Sequence, residues 1–555
     1  MILSKKDSYL LYGFLLLVYV CGLFIPIMEN DSAQHATMAM RMYLENDFLH
    51  IYKGANDYLD KPHMHFWLSA ISFKIFGIHA WSYRLPALIF TFIGAFYSNK
   101  LAVHFYGKKI NHIAALVFLS VQAVILANHD VRTDAVLTGA IALAIYNFVK
   151  YLDSSKLSNL ILGFLGLAIG FSSKGQLAVF ICGVFLFVHI VYANKWKQVF
   201  SWKVLVGLTA YVLFISPVLY AYYVQFDLHP EKVFNGFNNI SGIRFILWDQ
   251  SFNRLTGTGF KNNSPDYFFF FHTILWAFLP WPIIMYAGMF SHLKKAISHR
   301  FKKIEGFELM SSLGTLLVLL VISTSKFKLP HYLNSLFSIM AVLVVGYLWT
   351  LHKNKKIKLL SRWANFQIGL FVFLSVFVLC LSFWAFTLSS WLIIIGIVVI
   401  VTLLIVFLKT VKEAPYRKLI VSSVGLMVLI NFTLNTQFYP NLLQYQSGIT
   451  ASKIIKKNKI DPEHLYLRDG IEAWSVSFYA HKNLKRVKVA NIPNQLKKGE
   501  WVYLEEASFL KTKEAGVVWS KIYPLEHYRI TRLKLKFLNP STRPETLTKR
   551  YLVQR

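Results

Sequence analysis

Long apolar runs recur along the chain and limit the structures that it can form. About twenty consecutive apolar residues make a helix long enough to cross the hydrocarbon layer of a membrane. Hydropathy predicts about thirteen such spans, at residues 9–28, 84–105, 111–128, 135–151, 158–172, 177–194, 203–223, 267–288, 309–324, 333–351, 366–386, 388–408 and 418–436. A mean hydropathy of +0.46 over 555 residues is high for a soluble protein. The runs therefore predict an all-α polytopic membrane protein.

The loops between the predicted spans set their orientation. With a cytoplasmic N-terminus, the loops YGKKIN, NKWKQVFSWK, SHLKKAISHRFKK, LHKNKKIKLLSR and KTVKEAPYRK would all lie on the cytoplasmic side. Each of them is basic, as the positive-inside rule requires. The formal charge of +32 is dispersed over many such short loops. We therefore attribute the charge to loop placement in a membrane and expect no nucleic-acid partner.

Three long segments would lie on the outer face, namely the loops 29–83 and 224–266 and the C-terminal segment. The last of these alternates strand-like runs, such as RVKVA and WVYLEE, with the helical run IEAWSVSFYAHK. We predict a transmembrane domain over residues 1–437 and a small α/β domain over residues 438–555 on the outer side. The three cysteines all fall inside predicted spans, which excludes a disulfide framework in the soluble parts.

Polar side chains that could carry chemistry collect in the predicted outer loops. They are Asp31, Gln34, His35, Asp60 and Lys61 in the first loop, Asp134 in NHDVRTDA, Asp249 and Arg254 in LWDQSFNRLTGTGF, and Tyr332 in TSKFKLPHYLN. Carboxylates at the depth of a bilayer are costly and are typical of functional sites. Lys, Arg and Tyr beside a carboxylate suit an anionic head group next to a general base. The pattern predicts one site on the outer face.

The same stretches resemble a known family of membrane enzymes. NDSAQHATMAM, LDKPHMHFWL and WSYRLPAL are similar to the first outer loop of lipid-phosphate-sugar-dependent glycosyltransferases of the GT-C fold. Four further stretches match that family in order, namely VRTDAVLTGA, GLAIGFSSKGQLAVF, FLPW and SKFKLPHYLNSLF. The most similar groups are the bacterial 4-amino-4-deoxy-L-arabinose transferase of lipid A and the protein O-mannosyltransferases. The resemblance covers essentially the whole chain and rests on the order of the motifs.

The resemblance implies a role for each matched residue. Asp31 matches the catalytic carboxylate and would act as the general base of a single inverting displacement. Asp134 matches a second catalytic carboxylate, which would orient the first loop or the acceptor. The residues matched to phosphate and donor binding are Lys61, Arg254, Tyr332 and Lys174. The residues matched to the sugar or acceptor pocket are Gln34, His35 and Asp60.

This chain departs from the family beside the matched carboxylate. Ser32 stands where a second acid is usual, and Gln34 and His35 stand where Arg and Tyr are common. Asp60 replaces Glu before Lys61. Because these positions lie near the sugar, we expect the changes to bear on which sugar is moved more than on the reaction.

The resemblance also implies the overall function. It predicts an integral-membrane inverting glycosyltransferase that moves a sugar from a polyprenyl (undecaprenyl) phosphate donor. The acceptor would be lipid A, another envelope glycan or a protein on the periplasmic face. We expect a monomer in the bacterial inner membrane, with a cytoplasmic N-terminus and a periplasmic C-terminal domain. No cofactor is required by this reaction, although the family leaves open a divalent metal at Asp60 and Asp249.

Simpler interpretations stay open for the same residues. Asp31 and Asp134 could only cap helices, because each stands at the start of a helical pattern. Lys61 could be an interfacial lysine and Tyr332 a member of an aromatic belt. The alternative function is a transporter or flippase of a lipid-linked or anionic solute, which many spans and membrane-depth charges also suit. A transporter is expected to show internal repeats and polar residues in mid-span, and the sequence shows neither pattern.

Overall fold

The computed structural model describes residues 3–234, 238–256, 265–410 and 414–555. Most of these residues lie in helices. The helices are Lys5–Leu23 (α1), Asp31–Leu44 (α2), Met64–Phe76 (α3), Ala80–Tyr106 (α4), Ile113–Leu119 (α5), Gln122–Leu126 (α6), Asp134–Ser154 (α7), Leu157–Lys174 (α8), Gln176–Ala193 (α9), Trp196–Val199 (α10), Trp202–Tyr222 (α11), Gly242–Arg244 (α12), Gln250–Thr256 (α13), Phe269–Ala277 (α14), Pro282–Ser298 (α15), Thr315–Ser323 (α16), Phe337–Lys353 (α17), Ile357–Ala385 (α18), Trp391–Thr410 (α19), Pro415–Thr433 (α20), Tyr439–Leu442 (α21), Ser447–Lys457 (α22), Trp474–Tyr479 (α23), Ile492–Gln495 (α24), Glu506–Glu514 (α25) and Leu535–Leu538 (α26).

In the described residues, ten helices are long and apolar enough to cross a membrane. They are α1, α4, α7, α8, α9, α11, α17, α18, α19 and α20, some of them extended by short 3₁₀ or π segments. The prediction of a multi-pass, all-α membrane protein is therefore confirmed. Three of the thirteen predicted spans take another form: 309–324 is the shorter apolar helix Met310–Ser323, and 111–128 and 267–288 are each broken into two short helices.

Polar groups at the two breaks form hydrogen bonds with each other. Gln122 N at the start of α6 donates a hydrogen bond to the Leu279 carbonyl at 2.9 Å. Trp281 Nε1, in the second break, donates to Ser120 Oγ in the first at 3.0 Å. A helix can break at membrane depth only where its freed backbone groups find such partners inside the protein. Hydropathy cannot detect such breaks, because it reports how apolar a run is and not where its backbone bonds go.

A small sheet lies near the C-terminus. Its strands are β3 (Leu465–Arg468), β4 (Lys485–Val487), β5 (Trp501–Glu505), β6 (Lys521–His527) and β7 (Thr548–Gln554), in the order β4-β3-β5-β7-β6. β3 is parallel to β4 and β5, whereas β7 is antiparallel to β5 and β6. The predicted small α/β region is present, while a domain boundary at residue 437 stays a prediction.

Alternation along the strands puts apolar side chains on both faces of this sheet. Leu465 and Leu467 pack into one buried cluster, whereas Tyr466 between them packs into another. Apolar clusters on both faces mean that the sheet is covered on both sides. Helix α23 connects the sheet region to the first outer loop, because Trp474 and Phe478 share a buried cluster with Ala36, Met40 and other residues of α2.

The first outer loop begins with α2 and continues through a two-stranded hairpin and α3. The hairpin consists of β1 (Tyr52–Lys53) and β2 (Asn56–Asp57), which pair antiparallel. Residues 32–40 of α2 are buried all round the helix, because α3 covers it on one side and α23 on another. This loop is therefore an integral part of the packed structure.

Candidate active site

Asp31 is the first residue of α2, and its carboxylate is bound by an arginine. Arg132 Nη1 lies 2.8 Å from Asp31 Oδ2, and the Asp31 side chain is 53% exposed. The N-cap position of α2 belongs to Asn30, and no side chain there makes a capping bond. The interpretation of Asp31 as a helix cap thus has no support in the geometry. The carboxylate instead faces a cavity with one ion-pair partner.

Arg84 fixes the backbone that leads into Asp31. Its fully buried guanidinium donates hydrogen bonds to four carbonyl groups, those of Leu23, Ile25, Pro26 and His129. Leu23 ends α1, Ile25 and Pro26 belong to the connection between α1 and α2, and His129 belongs to the loop before α7. Five donors in a rigid planar group suit such a task. Arg84 thereby joins the two loops that carry Asp31 and Arg132.

Asp134 and Lys174 form a buried ion pair beside this site. Asp134 begins α7 and Lys174 ends α8, and the two helices pack together, so both residues reach the same end. Lys174 Nζ lies 2.5 Å from Asp134 Oδ1, with side-chain exposures of 4% and 5%. Gly139 lets α7 approach α4 closely, because a Cβ there would lie 2.2 Å from the Phe90 carbonyl oxygen.

Arg132 bridges three groups at the mouth of the site. Besides Asp31 it binds Asp130 Oδ2 through Nη2 at 3.0 Å, and His331 Nδ1 lies 3.4 Å from Nη1. Burial alone would lower the pKa of Arg132, but the carboxylates of Asp130 and Asp31 outweigh it and raise the pKa. The side chain is therefore a permanent cation. Its role was not predicted, although the VRTD motif that contains it was recognised.

Lys61 and Asp60 of the first outer loop also line the site. Lys61 Nζ lies 3.0 Å from Asp60 Oδ2. Gln250 Nε2 donates to the Asp60 carbonyl at 2.5 Å and so ties α13 to the first outer loop. Arg254 belongs to the same short helix α13, but its side chain lies outside the described residues. Its predicted contact with phosphate stays a prediction.

These residues enclose one cavity of about 330 Å³. Its lining is Asp31, Gln34, His35, Lys53, Tyr58, Asp60, Lys61, Arg132, Thr133, Asp134, Phe327, Leu329, His331 and Tyr332. Seven of the predicted site residues are in this set, drawn from the first loop, the start of α7 and the segment before α17. Lys53 and Tyr58 were not predicted, since nothing in their local sequence distinguishes them from surface residues, and His331 was recognised only as part of the motif SKFKLPHYLNSLF.

An apolar groove of about 200 Å³ adjoins the cavity at Tyr332. Its walls include Leu177, Phe180, Val321 and Ile322, and Lys174 also lines it. Lys174 Nζ lies 4.7 Å from the centre of the Tyr332 ring. The polar cavity and the apolar groove therefore meet at Tyr332, with Lys174 on the groove side of it, an arrangement that suits an amphiphile with an anionic head.

Two buried histidines support the first loop beneath the cavity. The rings of His35 and His65 lie 5.7 Å apart, and His65 Nε2 is 3.1 Å from the Tyr83 hydroxyl. Burial lowers the pKa of His65 to about 4. Burial, with the nearby His65 and Lys61, lowers the pKa of His35 well below its usual range. Both imidazoles are therefore neutral at physiological pH, and His35 presents an uncharged ring to the cavity.

The residues predicted to bind a metal are paired with cations. Asp60 contacts Lys61, and Oδ2 of Asp249, which does not line the cavity, lies 3.5 Å from Arg244 Nε. Within the described ranges, no three His, Cys, Asp or Glu side chains cluster closely enough to hold a metal ion. Divalent cations in oxygen sites take about six ligands. Asp60 and Asp249 each face a cation and do not line one cavity, and the metal proposed at them stays a prediction.

Comparison with known proteins identifies the fold. Residues 60–220 match the family model described as dolichyl-phosphate-mannose-protein mannosyltransferase. The crystal structure of ArnT from Cupriavidus metallidurans bound to undecaprenyl phosphate is similar over 99% of this chain and 98% of that chain, with a TM-score of 0.74 and 16% identity. The chain has the GT-C fold. The apo structure of the same ArnT agrees, with a TM-score of 0.73, so the resemblance seen in the motifs is confirmed.

Curated relatives with similar sequences are named as arabinosyl transferases. The undecaprenyl phosphate-alpha-4-amino-4-deoxy-L-arabinose arabinosyl transferase of Wigglesworthia glossinidia brevipalpis is 24% identical over 371 residues, which cover 64% of this chain and 61% of the relative. The corresponding transferase 1 of Proteus mirabilis is 23% identical over 388 residues, or 66% and 64% of the two chains. The chain thus spans about six tenths of the length of these relatives.

Proposed function

We propose that this protein is an inverting glycosyltransferase that moves a sugar from a polyprenyl phosphate to an acceptor at the outer face of the bacterial inner membrane. The observation that carries the proposal is the cavity in which the half-exposed carboxylate of Asp31 faces Lys61 and Tyr332, next to an apolar groove. A base, a set of phosphate-binding groups and a place for a lipid tail are the parts that such a transfer needs.

In the proposed reaction, Asp31 takes the proton of the acceptor hydroxyl or phosphate as that oxygen attacks the anomeric carbon. The new bond forms between the acceptor oxygen and the sugar. The bond from the sugar to the donor phosphate breaks, and its electron pair leaves with the polyprenyl phosphate. One displacement inverts the anomeric centre, so one carboxylate is enough. Arg132 holds Asp31 in place through the 2.8 Å ion pair.

The leaving phosphate gains charge and needs donors that are already in position. Lys61 and Tyr332 line the cavity, and Lys174 lies beside them at the entrance to the groove. Charge-assisted hydrogen bonds from such groups are about twice as strong as neutral ones. The polyprenyl tail would follow the apolar wall of Leu177, Phe180 and Val321. Asp134, paired with Lys174, would position this cation rather than move a proton.

The relatives suggest the donor more closely than the acceptor. By analogy with the curated arabinosyl transferases, we propose undecaprenyl phosphate as the lipid carrier. The acceptor would be lipid A, another envelope glycan or a protein, and Gln34 and His35 would help to select the sugar from the cavity wall. We further propose a monomer with a cytoplasmic N-terminus and a periplasmic sheet region.

The test is mass spectrometry of lipid A and of glycoproteins from cells with the gene, without it, and complemented with Asp31→Asn. We expect the deletion to remove one sugar modification and Asp31→Asn to fail to restore it. Full restoration by Asp31→Asn would show that the base is wrongly assigned. Purified protein that carries a lipid-linked sugar across vesicles, without transferring it, would overturn the proposal in favour of a flippase.

A further inference from the structure

A second cleft lies at the far end of the helix bundle from the candidate active site. Arg84, near the start of α4, contacts the loops of that site. Lys100 lies sixteen residues further along the same helix, which at 1.5 Å per residue is about 24 Å away. A cleft of about 640 Å³ opens there between α1, α4 and α5. It shares no lining residue with the active-site cavity.

One wall of this cleft is apolar. Phe92, Ala95, Phe96 and Val103 recur at helical spacing along one face of α4, and Leu119 stands opposite on α5. From Phe92 to Val103 the face is about 16 Å long. That length is close to half of a hydrocarbon layer about 30 Å thick. Phe92 and Phe96 are 36% and 53% exposed, so their rings form an open rim.

The end of the cleft that is distant from the active site is basic and polar. Lys100, Lys108 and His112 line it, together with Asn99 and Asn111, whose side chains are joined by a 2.7 Å hydrogen bond. The stem of Lys100 lies along the cleft wall, and its Nζ is 5.2 Å from the centre of the Phe96 ring. The cleft thus combines the apolar wall of α4 with two lysines toward the end distant from the active site, and Lys100 stands on that wall between Phe96 and Val103.

Two basic residues at this end of the bundle already have carboxylate partners. Lys195 is paired with Asp153 at 2.8 Å, and Arg417 is paired with Asp7 at 2.7 Å. In the described part of the chain, no carboxylate lies within 4.0 Å of Lys100 or Lys108. Both ammonium groups are exposed at the mouth of a cleft that already offers an apolar wall.

We propose that this cleft binds an anionic phospholipid, with an acyl chain along the α4 face and its phosphate between Lys100 and Lys108. The length of the apolar face matches one leaflet, and the cations lie at the depth of a head group. A partner helix fits less well, because such contacts favour small residues, whereas Phe92 and Phe96 project from this rim. The site is independent of the proposed transfer reaction.

The experiment is native mass spectrometry of the full chain with phosphatidylglycerol and with phosphatidylethanolamine of identical acyl chains. Three variants are compared with the unsubstituted protein: Lys100→Gln/Lys108→Gln, the matched control Lys302→Gln/Lys303→Gln, and Val103→Trp, which adds bulk to the α4 wall of the cleft. Lys302 and Lys303 are exposed basic neighbours outside the cleft. A parallel arm adds inorganic phosphate as competitor, and unfolding curves show that each variant is folded.

We expect preferential binding of phosphatidylglycerol and a loss of about ten-fold in affinity for Lys100→Gln/Lys108→Gln, since each lysine near a membrane surface adds attraction for anionic lipid. Val103→Trp should lower the affinity for both lipids, and the control should change it less than two-fold. Equal affinity for the two lipids, an equal loss in the control, or displacement by phosphate alone would overturn the proposal. A dimer that disappears in Val103→Trp would assign the cleft to a second copy of the chain.

Discussion

The candidate active site contains two ion pairs, Asp31–Arg132 and Asp134–Lys174, which differ in their exposure to solvent. Asp31 is 53% exposed and bound to Arg132 at 2.8 Å, whereas Asp134 is 5% exposed and bound to Lys174 at 2.5 Å. An exposed pair contributes little to stability and leaves its carboxylate open to substrate. A buried pair cannot lose one partner without stranding a charge. The two carboxylates matched to catalysis are thus suited to different tasks.

The largest expected effect is a loss of transfer activity, and we expect it for Asp31. Asp31→Asn should lower the transfer rate by about 10²- to 10⁴-fold, because a general base contributes about that much. The free energy of unfolding should change by less than about 1 kcal/mol, as for an exposed ion pair. Transfer assays on purified protein and unfolding curves in detergent measure the two quantities. A variant that is inactive because it is unfolded would break the proposed division of roles.

Substitutions in the buried pair should mainly lower stability. Asp134→Asn leaves the Lys174 ammonium without its carboxylate and should lower the free energy of unfolding by about 3–5 kcal/mol. The double variant Asp134→Asn/Lys174→Met removes both charges and should recover much of that loss. Chemical unfolding of the three proteins tests the coupling. If the single and double variants were equally stable, the pair would not be the reason for the loss.

Arg84 is a buried cation whose guanidinium is bound by backbone carbonyl groups. Arg84→Lys keeps the charge but cannot reach all four carbonyls, and it should lower the free energy of unfolding by about 2–3 kcal/mol. The matched control is Arg362→Lys in α18, whose side chain is exposed and should matter by less than about 1 kcal/mol. Similar unfolding curves for both variants would rule out the positioning role of Arg84.

The smallest expected effect is a pH dependence of stability, which comes from the buried histidines His63 and His65. Burial lowers the pKa of His63 and His65 to about 4, whereas the unfolded imidazole titrates near 6.5. The unfolded chain therefore binds more protons between these values, and stability falls as the pH drops below about 6.5. Each histidine should cost roughly 1 kcal/mol per pH unit there. Unfolding of the protein and of His65→Gln at pH 7.5, 6.5 and 5.5 measures the slope, and a flat profile contradicts it.

Several features of the site were predictable because their signals are local or topological. Asp31 and Lys61 stand in one loop, and Asp134 and Tyr332 stand in loops that the positive-inside rule places on the same face. The structure brings all four to one cavity. The contribution of Arg132 was not predictable, because an arginine between two aspartates pairs with neighbours in sequence as readily as with Asp31, which is 101 positions away.

The structural support of the first loop is the part that sequence patterns missed. Ser475 N donates to Glu29 Oε1 at 2.7 Å, and Thr37 Oγ1 donates to the Trp474 carbonyl at 3.0 Å. These bonds connect residues more than 430 positions apart and hold the segment around Asp31 from the C-terminal side. A small α/β region was predicted there, but nothing in its composition showed that α23 would cover α2.

The sequence by itself determined the class of fold, since runs of about twenty apolar residues have few stable structures other than membrane helices. It also indicated that the polar loops gather on one face, because basic loops stay on the other, and the common cavity agrees with that grouping. Only the tertiary structure decided which charges are paired and which are exposed. That division depends on packing between distant segments, such as α7 against α8 and Arg84 against the α1–α2 connection, which hydropathy and motif spacing do not record.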